Sequence, residues 1–254
     1  VRDSRLILLT NDDGIDAPGL NHLAETLRPF GRLFVVAPQT ERSGASHSLT
    51  LGQPIKVQEL GQDRFAIDGT PVDCVLYALR RFLPRPPTWV VSGANRGSNL
   101  GDDTLYSGTV GAASIAALHG FCSFAVSLDG TCGKLHWESA AYALENLLKG
   151  PYDWDAFQGR VININVPNVP IKELRGFKAA TLGRRFYCSR IEHDLNDSSL
   201  TWYAKEDVMH DRLPATDCTA VEEGYVALSV LAPSLFDEEG QERLVRTLQK
   251  GGVQ

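Results

Sequence analysis

Short apolar runs ended by turn signals recur through the first two thirds of the chain, with helix-period segments between them. Leu6-Ile7-Leu8-Leu9-Thr10, Leu33-Phe34-Val35-Val36-Ala37, Trp89-Val90-Val91-Ser92, Phe124-Ala125-Val126-Ser127 and Arg160-Val161-Ile162-Asn163-Ile164 each read as a buried strand. Leu20, Leu23, Ala24 and Leu27 recur at helical spacing after the first run. Asp16 is expected to cap that helix, with Pro18 in its first turn. Val72, Val75, Leu76 and Leu79 mark a second helix, the Ala-rich stretch from Thr109 to Leu118 a third, and Trp137 to Leu148 a fourth. Ile55 to Val57 and Arg64 to Ile67 read as shorter strands of a hairpin. The alternation predicts an α/β fold: a doubly wound, mostly parallel, Rossmann-like sheet.

After Pro167 the pattern changes. Segments 175–182, 200–204 and 219–231 read as extended, and 189–199 as turn-rich. The tail 234–249 is amphipathic, with Leu235, Leu244, Val245 and Leu248. The expected organisation is a catalytic core over residues 1–166. A β-rich C-terminal extension with a terminal helix then covers 167–254, continuous with the core and suited to contacts between copies.

Charge and composition narrow the functional classes. A formal net charge of −6 argues against a nucleic-acid polymer as partner, since such binding rests on phosphate neutralisation. A small nucleotide needs only local donors and is not disfavoured. No apolar stretch approaches the roughly 20 residues of a membrane-spanning helix, so no membrane partner is expected. The charged N-terminus enters a strand directly, without a signal-peptide pattern. Cys74, Cys122, Cys132, Cys188 and Cys218 are scattered, odd in number and without CxxC spacing; they read as reduced thiols of a cytoplasmic protein.

Four loops carry candidate chemistry. Asn11-Asp12-Asp13-Gly14 places two carboxylates at the end of the first strand, where open α/β sheets hold their ligands. Paired carboxylates there call for a cation, and Gly14 permits the turn that converges them. The second loop, Ala37 to Ser46, offers Ser43 and Ser46 hydroxyls beside Gly44. The third, Ser92 to Asp103, combines glycines with the amide oxygens of Asn95 and Asn99. The fourth, Tyr106-Ser107-Gly108-Thr109, opens a helix whose free N–H groups and two hydroxyls suit an oxyanion such as phosphate. Neither GxxxxGK[ST] nor a GxGxxG after the first strand is present, which weakens ATPase and dinucleotide readings. Carboxylate, amide and hydroxyl oxygens are hard donors and select Mg²⁺ or Mn²⁺ over Zn²⁺. One divalent ion and a phosphate held by helix-terminal donors point to phosphoester hydrolysis. A metal-dependent glycosyltransferase or a non-catalytic nucleotide-binding protein would use some of the same features.

The motifs NDDGIDAPG, VVAP followed by RSGAS, GTPVDCV, VVSGAN with GSNLGDD and YSGTVGAA, and AVEEGYV occur in this order. Together they resemble the survival protein E (SurE) family from residue 6 to about 231. The resemblance implies a metal-dependent phosphatase of nucleoside 5′- and 3′-monophosphates, some members also acting on short polyphosphate. It implies Asp12, Asp13, Ser43 and Asn95 as metal ligands. In hydrolysis on that ion, Asp12 or Asp13 is expected to orient or deprotonate the attacking water, the alternative being an aspartate nucleophile. Asn99, Ser107, Gly108 and Thr109 fall where the family surrounds the phosphate. It further implies a homodimer or homotetramer assembled through the C-terminal extension. Ala94 departs from the family, whose members more often carry Ile, and 184–217 matches poorly. His47, near the Ser43 loop, is the histidine best placed to protonate a leaving group.

Overall fold

The computed structural model describes residues 5–194 and 199–250. Its centre is a nine-stranded sheet. Strand β1 (Leu6–Thr10) lies between β2 (Arg32–Pro38) and β5 (Trp89–Arg96), parallel to both. Outward from β2 run β4 (Arg64–Ile67), parallel to β2, and β3 (Val57–Gly61), antiparallel to β4. Outward from β5 run β6 (Cys122–Asp129) and β7 (Val161–Pro167), both parallel. The sheet continues into the C-terminal region through β11 (Val226–Leu231), antiparallel to β7, and β8 (Phe177–Ala179). The chain leaves β1 in one direction and returns through β5 on the other side. That reversal creates a crevice at the carboxyl ends of β1 and β5.

Side-chain alternation along β1 sorts the core into two layers. Ile7 and Leu9 pack with Leu20, Leu23 and Leu27 of α1 (Pro18–Leu27) and with Ala140, Ala143 and Leu144 of α4 (Trp137–Lys149). Leu6 and Leu8 pack on the other face with Cys74 and Val75 of α2 (Pro71–Tyr77) and Ala112 and Ala116 of α3 (Gly108–Leu118). The small side chains of α3 let it sit close to the sheet; nine of its eleven residues are buried. The expected doubly wound, mostly parallel architecture is the one observed.

Several local expectations are corrected. Asp16 does not cap α1: the N-cap is Ala17, without a side-chain hydrogen bond, and Pro18 opens the helix. Its fixed φ replaces the work a capping side chain would do. The turn-rich reading of 189–199 is corrected at 189–194 and 199, because β9 (Arg185–Asp194) and β10 (Ser199–His210) form an antiparallel ribbon; 195–198 lie outside the described residues. Phe186, Ile191, Leu200 and Met209 of this ribbon are exposed, so the burial signature that betrays a strand in sequence is missing. Within the expected extended segment 219–231, residues Asp217–Glu222 instead begin it as helix α5. Thr216 caps α5 by accepting a hydrogen bond from the Thr219 N–H at 3.3 Å. The amphipathic tail is α6 (Glu238–Lys250). Cys74, Cys122, Cys132 and Cys218 are free thiols; the side chain of Cys188 lies outside the description.

Candidate functional site

The four candidate loops meet at the β1–β5 crevice. After β1 the chain turns through Gly14, whose φ of +102° lies in the left-handed region open to glycine. Asn11 Nδ2 closes the turn onto the Gly14 carbonyl at 2.9 Å. The second loop is pinned to it by the Arg42 N–H, which donates to the Asp12 carbonyl at 2.7 Å. The third is pinned by the Arg96 N–H, which donates to Asp13 Oδ2 at 2.9 Å. The fourth arrives with Thr109, whose N–H (3.1 Å) and hydroxyl both donate to the Asp12 carboxylate.

Asp12 is 3% exposed. Burial pushes its carboxyl up to about 6; the Thr109 hydroxyl bond opposes this and the neighbouring Asp13 charge adds to it. Its two side-chain donors are neutral, so no bonded cation offsets the loss of water. Gly108 makes the approach possible: a Cβ there would lie 2.9 Å from both Cβ and Oδ2 of Asp12. Asn95 is nearly buried and donates Nδ2 to the Gly97 carbonyl at 2.7 Å, which leaves Oδ1 as the atom that could meet a cation. It follows a bulge in β5 between Ser92 and Asn95, a device that re-aims side chains at sheet ends. Ser43 is exposed, and its hydroxyl donates to Glu41 Oε1 at 2.8 Å. Among the described residues no group of three or more His, Cys, Asp or Glu side chains converges. A cation here would therefore rest on two carboxylates and neutral oxygens, the donor set of a hard, water-rich ion such as Mg²⁺ or Mn²⁺.

Ser107 is the N-cap of α3, accepting from the Val110 N–H at 3.1 Å, which leaves its own proton available to an anion. Thr109, in contrast, spends both donors on Asp12. Asn99 makes no bond to either aspartate; it is fastened to the neighbouring strands. Its N–H donates to Asn165 Oδ1 at 2.7 Å, its Nδ2 donates to Ser127 Oγ at 2.7 Å, and its carbonyl accepts from Asn163 and Asn165. Ser46 Oγ donates to the Leu105 carbonyl at 2.6 Å and contacts His47 Nδ1 at 3.3 Å. His47 is held below its ordinary pKa by burial.

Three further features support the site; a structural role for Asp103 in ordering the Asn99 loop is legible in the sequence, while Asp217 and the Asn163–Asn165 pair escaped the sequence reading. Asp217 is fully buried and accepts from the N–H groups of Gly101, Gly183 and Cys218 at 2.8–2.9 Å, clamping the third loop to the C-terminal region. Asp103 accepts from Arg185 at 2.5 Å and from the Tyr187 hydroxyl, tying the base of β9 to the same loop. Asn163 and Asn165 buttress Asn99. Their signal was present in VININV, where two polar residues alternate inside a buried strand.

A cleft of about 270 Å³ opens beside Asp13, on the α1 and α4 side of the sheet. A larger one, about 390 Å³, lies among Lys178, Arg212 and Glu223 and contains none of the candidate residues.

The family model described as survival protein SurE matches residues 7–189. A protein of Halorhodospira halophila named 5′-nucleotidase SurE is 40% identical over 240 residues, covering 94% of this chain and 96% of its own length. One of Cronobacter sakazakii, named 5′/3′-nucleotidase SurE, is 40% identical over 250 residues, covering 97% and 98%. The crystal structure of the SurE protein from Aquifex aeolicus superposes with a TM-score of 0.80 at 33% identity, covering 94% of this chain and 97% of that one.

Proposed function

We propose that this chain, which belongs to the survival protein SurE family, hydrolyses the phosphomonoester bond of nucleoside 5′- and 3′-monophosphates with one divalent cation, Mg²⁺ or Mn²⁺. The observation that carries the reading is the buried Asp12 carboxylate, next to Asp13 and bonded only by neutral donors from Thr109 at the capped start of α3. The names of the relatives supply the substrate class.

Asp12, Asp13, the Asn95 amide oxygen and the Ser43 hydroxyl would hold the ion. Ser43 reaches it by exchanging its bond to Glu41, an exposed contact that breaks at little cost. The bound ion would supply Lewis acidity toward the phosphoryl group and the attacking water. Water adds to phosphorus, the ester P–O bond breaks, and the nucleoside leaves as an alcohol after taking up a proton. Asp12 and Asp13 orient the water, and one of the two takes up its proton. The Ser107 hydroxyl and the Gly108 N–H that opens α3 stabilise the charge on the transferring phosphoryl group. Asn99 sets the rim of the phosphate site from its anchored position. The exposed apolar side chains Leu244, Val245 and Leu248 of α6 support assembly of copies as a dimer or tetramer.

Phosphate release from AMP, GMP and their 3′ isomers, assayed with Mg²⁺, with Mn²⁺ and in EDTA, tests the reading. Turnover that requires added metal and is lost in both Asp12→Asn and Asp13→Asn is expected. Metal-independent turnover, or full activity in both variants, would overturn it.

A further inference from the structure

We infer that the 270 Å³ cleft beside Asp13 is the subsite for the nucleoside: its apolar wall takes the base and its charged rim the ribose hydroxyls. The inference rests on the phosphomonoesterase reading and adds what that reading leaves open, namely what selects the leaving group.

Beyond the end of β1, Asp12 is bonded to Thr109 at the start of α3, while its neighbour Asp13 borders a cleft beside α1 and α4. The phosphoryl donors lie on the Asp12 side, at Ser107 and the start of α3. The cleft lies on the Asp13 side, and Asp13 itself forms part of its lining. A phosphate monoester held at the carboxylates thus has this cavity adjoining its ester oxygen.

The lining matches a nucleoside in kind and in size. One wall is apolar: Ala17, Pro18, Leu135 and Trp137. Trp137 comes this close because Gly19 is bare; a Cβ there would sit 2.7 Å from the indole and 2.0 Å from the Ala94 carbonyl. The opposite rim carries Glu41 and Arg96, whose charged ends lie 3.7 Å apart and are about half exposed. Such an exposed pair is worth little by itself and can re-pair with a ligand. A carboxylate that accepts and a guanidinium that donates are complementary to vicinal hydroxyls. At about 270 Å³ the cleft falls just below the roughly 300–1,000 Å³ range of drug-sized pockets, a scale for one ring system and its sugar and not for a polymer.

The wall is also braced. The loop carrying Leu135 is fastened by Asn168, whose Oδ1 accepts from the His136 N–H at 2.8 Å and whose Nδ2 donates to the Lys134 carbonyl at 3.0 Å. Gly130 leaves room for it, since a Cβ there would meet Asn168 Nδ2 at 2.7 Å. This bracing holds an apolar surface open beside an acidic site, where a free loop would collapse onto its own side chains.

The test compares esters with and without a nucleoside. Ala17→Leu fills the cleft, and Leu135→Ala removes part of its wall. In each, kcat/KM for AMP relative to glycerol 2-phosphate is expected to fall tenfold or more, chiefly through KM for AMP. Adenosine should quench tryptophan fluorescence in the parent protein, with the quench lost in Trp137→Phe. An unchanged AMP-to-glycerol-phosphate ratio in both variants, or equal quenching with and without Trp137, would overturn the subsite while leaving the phosphatase reading intact. Failure of the parent to hydrolyse either ester would instead overturn the phosphatase reading. If Leu135→Ala fails to fold, Ala17→Leu and the fluorescence experiment decide.

Discussion

Replacing Asp12 with Asn should make the metal-free protein more stable while abolishing turnover. Asp12 is almost completely buried, and its carboxyl is raised from 3.8 to about 6. A shift of about two units means that keeping the group ionised costs the fold about 3 kcal/mol at neutral pH. Asn carries no charge and still accepts one of the two Thr109 donors. The other is lost, at about 1 kcal/mol. The net gain is therefore about 2 kcal/mol, or about 4–8 °C in a chain of this size. The sign with pH follows from the raised value. Between about pH 4 and 6 the folded state binds the proton and the unfolded state has released it, so the parent loses stability as pH rises. The advantage of the variant should be complete above pH 6 and vanish toward pH 4. Urea or thermal unfolding in EDTA across pH 4–8 measures it. Added Mn²⁺ should stabilise the parent and leave Asp12→Asn nearly unmoved. A variant no more stable than the parent at pH 8 in EDTA would refute the reasoning. So would an advantage that persists unchanged at pH 4.

Gly108→Ala should cut kcat tenfold or more and lower the thermal midpoint as well, because the added Cβ would sit 2.9 Å from both Cβ and Oδ2 of buried Asp12 and 3.2 Å from Pro71 Cγ; steady-state kinetics beside calorimetry measures both effects. Asp217→Ala leaves three buried N–H groups without an acceptor and should lower stability by about 3 kcal/mol or more in urea unfolding. Asn165→Ala removes the acceptor of the Asn99 N–H and should raise KM for phosphate esters more than it lowers kcat, since it loosens the rim and not the aspartates. Arg185→Ala should free the β9–β10 ribbon from the third loop, seen as faster amide exchange at Gly101–Leu105.

Much of the core was legible because burial on both faces of a parallel strand writes itself as a continuous apolar run. β1 was bounded residue for residue, and β2, β5, β6 and β7 were found within a few positions. β9 and β10 were missed because they pair outside the core, held by backbone bonds that leave no mark on side-chain choice. The site divided the same way. The aspartates stood out because two charges at a buried strand end need a reason. Asp217 did not, because its partners Gly101 and Gly183 are distant in sequence and act only through backbone N–H groups. Thr109 was legible as a helix-start hydroxyl but not as the partner of Asp12, a pairing that only the packing of α3 on β1 creates.

The different neighbours of Asp12 and Asp13 carry a consequence for how this scaffold can vary. Asp12 is fastened to Thr109 of α3, and Asp13 borders the cleft beside α1 and α4. Among the described residues Ser107 and Leu135 share no protein partner, so an ester lacking a nucleoside should respond to substitution at Ser107 and not at Leu135. Two neighbouring letters of sequence would then govern separable traits, so that selection could exchange one leaving group for another without retuning the phosphoryl chemistry.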